Sequence, residues 1–203
     1  MSMLHSALPA LGQVLLLAVL VTLLLGRWIK EARIRQSVVA ALLLLCLFVP
    51  VYGLSVAQWL RSVVGDLSVL TSIIFLNILA QRLLNFSLLK PASRSNLLWG
   101  VVLVGVVFYP LALGVSAYDP YQLGYSPILL TVLLILFSLM AWFRGKRDLA
   151  IILLLPLLTY NLHLLESTNL WEYLLDPVLV IYALVQSVAG FKFIRYKKDR
   201  GAA

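Results

Sequence analysis

Seven apolar runs, each near the length of a membrane-spanning helix, alternate along this chain with short polar connectors. The runs cover about residues 8–26, 37–57, 67–85, 96–117, 127–143, 149–165 and 175–191. A spanning helix needs ~20 predominantly apolar residues. The pattern therefore predicts an all-α, polytopic integral membrane protein of seven transmembrane helices, a single domain over residues 1–203. The first run is followed by Arg27, Lys30, Arg33 and Arg35 rather than by a small-residue cleavage site, which reads as a retained span and not a removed signal peptide.

Capping chemistry marks most of the predicted starts. Asp66, Asp148 and Asp176 each stand before an apolar run, where a carboxylate accepts the free N–H groups of a first turn and suits the helix dipole. Pro177 follows Asp176, and Pro127 follows Ser126, as first-position prolines. Ser95 or Asn96 is placed as the cap of the fourth run, with Pro91 breaking the connector before it. Pro50 and Pro156 lie inside the second and sixth runs, and proline is tolerated in a span whose neighbours satisfy the freed carbonyl. Asn169-Leu-Trp-Glu172 has the spacing of a capping box and predicts a short interfacial helix from Leu170, anchored at headgroup level by Trp171 and Tyr173. Gly100, Gly105 and Gly114 would let a neighbour approach the fourth run closely. Asn77, Gln81 and Asn85, four residues apart in turn, form a polar stripe on the third helix that interhelical hydrogen bonds would explain.

Composition strengthens the membrane reading: 63% of the residues are hydrophobic, and mean hydropathy is +1.02. Soluble domains are nearer half apolar. The net charge of +8 could suggest nucleic acid, but its placement argues otherwise. Every lysine and arginine except Arg61 falls in alternate connectors or the tail from Lys192 to Arg200. The positive-inside rule makes that side cytoplasmic, with the N-terminus outside and the C-terminus inside. The charge is thus a topology signal and an anchor for anionic lipid, with no nucleic-acid partner implied. A lone Cys46 excludes an internal disulfide, and two histidines, His5 and His163, make a zinc site improbable.

Runs one to three and five to seven share orientation. Pro50 and Pro156 fall in the middle run of each triplet, and Asp66 and Asp176 open the last, with Arg82 and Lys192 at equal distances beyond them. This suggests parallel repeats in a 3+1+3 order, an arrangement some transporters use. The layout resembles that of the SWEET-type sugar transporters, whose proline-glutamine motif this chain lacks.

Candidate chemistry concentrates on the predicted outer face. Tyr160, His163 and Ser167 have the spacing of one helical face, and Glu166, three residues from His163, is placed to be its partner. A carboxylate that orients an imidazole makes a usable general base, but it also makes an ordinary buried pair. The loop Tyr118 to Ser126 adds three tyrosines and Asp119, a mixture suited to a sugar or a cation. The two loops flank runs that can be neighbours, which makes Tyr160, Asn161, His163, Glu166, Asp119 and Tyr121 the candidate ligand-binding set around one outward mouth. No residue is assigned a catalytic or metal-binding role and no cofactor is implied. No phosphate-cradling glycine loop, Gly-x-Ser-x-Gly or His-Glu-x-x-His occurs. No run carries an ionisable residue at its centre, which weighs against an ion-coupled carrier. The expectation is a non-catalytic inner-membrane protein, an accessory or scaffolding subunit whose partners are the bilayer and other membrane subunits. A small transporter or channel for an uncharged or sugar-like solute, and a membrane enzyme on a lipid-linked substrate, are the alternatives.

Overall fold

The computed structural model describes residues 2–25, 29 and 31–201, with side chains from Leu11 to Ala189 apart from a few between 26 and 51. Arg27, Lys30 and the side chains of His5, Arg35 and the basic tail, all weighed above, lie outside the described residues. The fold is all-helical apart from one tiny hairpin. In order come α1 (Ser2–Leu25), α2 (Ala32–Phe48), strands β1 (Pro50–Val51) and β2 (Leu54–Ser55), α3 (Val56–Val64), α4 (Val69–Leu84) and α5 (Pro91–Ala112). A 3-10 turn η1 (Pro120–Gly124), α6 (Ile128–Phe143), α7 (Arg147–Asn161), α8 (Leu170–Leu174) and α9 (Pro177–Gly201) complete it.

Among the described residues, α5 is the helix long and apolar enough to cross a membrane. Its 22 residues reach about 33 Å at the usual helical rise, against ~30 Å of hydrocarbon. The apolar stretches Leu11–Leu25, Gln36–Cys46, Val69–Leu84, Ile128–Phe143 and Pro177–Ala189 are shorter.

Several predicted boundaries move, each for a local reason. The second run does not stay helical to residue 57. Proline restricts the residue before it, so α2 stops at Phe48, and the chain turns through Tyr52 and Gly53, both at positive φ, pairing Pro50 with Ser55. Ser55 and Gln58 then form a reciprocal capping box that starts α3. The fourth helix begins at Pro91, not after Ser95 or Asn96, because proline suits the first helical position; it ends at Ala112. Ser68, not Asp66, caps α4 through the Thr71 N–H at 3.2 Å. α7 ends at Asn161, and His163 takes a positive φ of 49° beyond it.

The core is built around α4, whose Val69, Leu70, Ile74, Phe75 and Leu79 are buried, with Leu89, Leu170, Tyr173 and Leu179 fully enclosed nearby. α1 lies along α4, α9 along α5, and α6 along α7. The repeat expected from the sequence does not survive this arrangement. α1 packs on α4, but its counterpart pair, α6 and α9, makes no comparable contact among the described residues. The equivalence of Asp66 and Asp176 fails as well, since only the second caps a helix.

Two carboxylates fix the helix order. Asp176 Oδ1 accepts the Leu179 N–H of its own helix at 2.8 Å, while Oδ2 accepts the Ser68 N–H at 2.8 Å and the Thr71 hydroxyl. Asp148, in the first turn of α7, accepts the Lys90 N–H and the Ser93 hydroxyl, both at 2.8 Å. Thus α4 and α9 start side by side at one end of the bundle, and α5 and α7 at the other. Parallel neighbours bring two positive dipole ends together, and a carboxylate between them offsets that repulsion.

Close approach along α5 and α9 depends on Gly105. A Cβ there would lie 2.8 Å from Val180 Cγ2, whereas Gly100 and Gly114 face open space. Lower on the same seam Arg94 donates to the Tyr182 hydroxyl at 2.5 Å. The polar stripe of α4 does not bridge helices. Asn77 Oδ1 accepts the Leu88 and Leu89 N–H groups at 2.9 and 3.1 Å, Gln81 donates to Ser87 Oγ at 2.9 Å, and Asn85 turns left-handed to end the helix. These groups fold the next connector back against α4.

Candidate functional site

The end of the bundle where α4 and α9 begin gathers the β-hairpin, α3, the loop with η1, and the loop with α8. The short elements there, α3, η1 and α8, each begin with a side-chain cap. Asp119 caps η1 by accepting the Tyr121 N–H at 2.9 Å. Asn169 caps α8 by accepting the Trp171 N–H at 2.9 Å. The two loops meet, as the sequence leads one to expect. The Tyr121 hydroxyl donates to Glu172, Asn169 Nδ2 donates to the Tyr121 carbonyl at 3.1 Å, and Trp171 Nε1 donates to the Pro120 carbonyl at 2.9 Å. Burial, and then the Glu172 carboxylate, push the Tyr121 phenol above its ordinary range.

The joint between the loops is tight at Gly124. An added Cβ would sit 1.7 Å from Asn169 Oδ1 and 2.8 Å from Trp171 Cδ1. Phe108 of α5 stacks obliquely on Trp171, with ring centroids 4.5 Å apart. Tyr173 is not the headgroup anchor that its spacing suggested. Tyr173 is fully buried, and its hydroxyl bonds the Leu165 carbonyl at 3.2 Å and the Ser167 carbonyl at 3.1 Å. The interior took the ring because its hydroxyl finds backbone partners there, as a buried tyrosine must.

Glu166 is not the partner of His163. Its carboxylate accepts from Arg61 Nη2 at 3.1 Å, while Arg61 makes a two-point contact with Asp66 at 2.6 and 3.0 Å. The reason is the end of α7 at Asn161: beyond it Tyr160, His163 and Ser167 no longer share a helical face. His163 is exposed and has the Tyr160 ring at 6.3 Å. Tyr160 donates to the Thr168 carbonyl at 3.2 Å, and Asn161 to its own Leu157 carbonyl at 2.7 Å. Of the six predicted residues, Asp119 and Tyr121 form one cluster, Tyr160 and His163 a second, and Glu166 belongs to a third with Arg61; Asn161 is turned to its own helix. Arg61, Asn169 and Gly124 shape this end of the bundle but were not among the six residues of the predicted ligand-binding set. Arg61 had one signal, its isolation on the side opposite the other cations.

Asp66, as a hydrogen-bonded carboxylate, holds the Arg61 guanidinium above its ordinary range. The two ion pairs differ in exposure: the Asp66 side chain is 25% exposed and Glu166 is 66% exposed. Double-mutant cycles should therefore give Arg61 a coupling of up to ~1 kcal/mol with Asp66 and nearly none with Glu166. Equal couplings, read from thermal unfolding in detergent, would contradict this ranking.

Beside the polar cluster is a shallow, open apolar groove of about 330 Å³ along α5. It is lined by Leu103, Val104, Val107, Phe108 and Leu111 of α5 and by Pro120 and Trp171. Among the described residues, no three histidine, cysteine or acidic side chains gather where they could hold a metal ion. The polar groups of this face are engaged with one another, and the groove is lined by carbon.

No known protein family, curated protein or solved structure matches the chain. The observations define its class: an all-helical protein with one helix of membrane-crossing length and apolarity among the described residues.

Proposed function

We propose that this protein is a multi-pass inner-membrane protein of seven spans, N-terminus outside, that serves as a non-catalytic accessory or scaffolding subunit of an envelope membrane complex. One observation carries the reading. α6 is apolar on all sides, yet Ile128, Leu129, Val132, Leu136, Phe137 and Phe143 are among its many exposed residues, and three of its positions, Leu130, Ser138 and Ala141, are buried. A helix apolar all round belongs in a core or in lipid. This one is not in the core, so its surroundings are acyl chains or the helices of a partner. The polar end of the bundle supports a structural role, because its charges and amides are spent on joining α3, η1 and α8.

The topology is tested with single cysteines in a Cys46→Ser background. Cysteines at Gln122 and Thr168 should react with an impermeant thiol reagent in intact cells, and one at Ala92 should react only after lysis. The reverse pattern would sink the orientation. The subunit role is tested by gentle extraction at native expression with a photo-crosslinker at Leu136. A stoichiometric membrane partner joined at that position is the expected result. A protein that emerges alone and crosslinks only lipid would overturn the subunit reading and favour a small carrier.

A further inference from the structure

Among the described residues, Arg94 has no carboxylate partner, whereas Arg61 has two. Arg94 stands at the start of α5, in line with that helix's buried stripe of Leu98, Val101, Gly105 and Phe108. Its side chain is directed along the helix, away from that end of the bundle. Counting along antiparallel helices from the contact of Gly105 with Val180 puts Arg94 level with residue 191. Its guanidinium instead meets the Tyr182 hydroxyl at 2.5 Å and Gln186 Oε1 at 3.5 Å, more than one turn nearer the middle of α9. An arginine at the end of an apolar helix ordinarily turns its charge toward water. Asp148 binds the neighbouring Ser93 and the Lys90 N–H, not Arg94.

The groups gathered there are donors with capacity left. Arg94 Nε is enclosed and meets no acceptor among the described residues, and Nη1 makes no bond to them either. Tyr182 accepts from Arg94 and keeps its own O–H, and Gln186 keeps both amide hydrogens. The Ser187 hydroxyl, one residue on, is enclosed without a partner. Arg94, Tyr182 and Gln186 are each half-buried, so a ligand can reach them. A guanidinium beside unspent donors is matched by an anion that accepts several of them at once.

We infer that Arg94, Tyr182 and Gln186 form a binding site for a phosphate-type oxyanion at the end of the bundle where α5 begins. Two sources share that chemistry, free phosphate and the headgroup phosphate of an anionic lipid in the adjoining leaflet. The site follows from the helix geometry and does not depend on the subunit role. Only the naming of that leaflet as cytoplasmic rests on the orientation proposed above.

The test has two arms, both on the full chain. In the first, the protein sits in phosphatidylcholine nanodiscs, and thermal unfolding is followed as inorganic phosphate is titrated against sodium chloride of equal ionic strength. In the second, phosphatidylglycerol replaces part of the phosphatidylcholine, and the lipid retained after mild extraction is counted by native mass spectrometry. Stabilisation by inorganic phosphate assigns the free anion, and retention of phosphatidylglycerol alone assigns the headgroup. A response in both arms assigns the phosphate group whatever carries it. In each responding arm Arg94→Gln should weaken binding about tenfold or more, and Tyr182→Phe, which keeps the ring and loses the O–H, about two- to five-fold. Arg147→Gln, at an exposed cation over the Trp142 ring, should change nothing. No response in either arm would overturn the site. So would a loss in Arg147→Gln equal to that in Arg94→Gln, which marks diffuse surface charge, or full binding by Tyr182→Phe. Cysteine labelling reads the orientation separately, so a failed site and a failed orientation give different results.

Discussion

Asp176→Ala is expected to cost ~3 kcal/mol or more of unfolding free energy, the largest loss from any single polar side chain described here. The carboxylate is 6% exposed and receives three donors from two helices: the Leu179 N–H, the Ser68 N–H and the Thr71 hydroxyl. A hydrogen bond to a charged group contributes ~1.5–3 kcal/mol, and a donor left buried without a partner costs ~1–3 kcal/mol more. Alanine removes the acceptor and leaves the Ser68 N–H enclosed at the start of α4. It also leaves two parallel dipole ends facing each other with nothing negative between them. Asp176→Asn should fall between alanine and the parent. It keeps the shape and one oxygen but turns an amide N–H toward a donor. Asp66→Asn, on a partly exposed carboxylate paired with Arg61, should cost ~1 kcal/mol or less. The comparison is read as thermal or denaturant unfolding in one detergent. If Asp176→Ala and Asp66→Asn lose the same amount, the joint between α4 and α9 does not have the energetic weight assigned to it.

Gly124→Ala is the second large effect, expected at ~3 kcal/mol. The new methyl would stand 1.7 Å from Asn169 Oδ1, so Asn169 or the whole of η1 must move. Either motion disturbs the Asn169 contacts to the Trp171 N–H and the Tyr121 carbonyl. Trp171 should then leave Phe108, which a shift in tryptophan emission would report. Gly100→Ala is the control, because its Cβ meets nothing within 4 Å. In a helix interior it should be neutral or stabilising by up to ~1 kcal/mol. A destabilised Gly100→Ala beside an unaffected Gly124→Ala would contradict the placement of η1 on α8.

What was legible in the sequence was local. The 3.6-residue regime and the proline and asparagine caps are set within a few residues, so the helices, the short α8 from Leu170 and the Asp176-Pro177 start could be read directly. The meeting of the loop before α6 with the loop before α9 was legible for a related reason, since few routes join runs of that length. What could not be read was the choice of partner. Glu166 has His163 three residues away and Arg61 more than a hundred away, and it bonds Arg61 because α7 ends before His163 can share a face with it. Asp66 had the position of a cap, but Ser68 took that role and left Asp66 to the arginine. Asn77 read as a side chain reaching for another helix, yet the nearest unsatisfied donors were the backbone of its own connector. Tyr173 read as a surface anchor, and the interior accepted it because its hydroxyl meets two carbonyls. In each case an interaction distant in sequence, or a backbone group invisible in it, outcompeted the neighbour that spacing favoured.

The link from Asp176 to Ser68 also sets a schedule for assembly. The two residues are 108 positions apart. At ordinary synthesis rates the ribosome needs roughly 5 to 20 s to travel that distance. During that interval α4 has its own serine cap but not the carboxylate that completes its first turn, and α9 does not yet exist. The central helix of the bundle thus waits for the last one. A chain interrupted before Asp176 would display an unfinished start to α4, a feature by which quality-control proteases could distinguish it from a chain that has formed the joint.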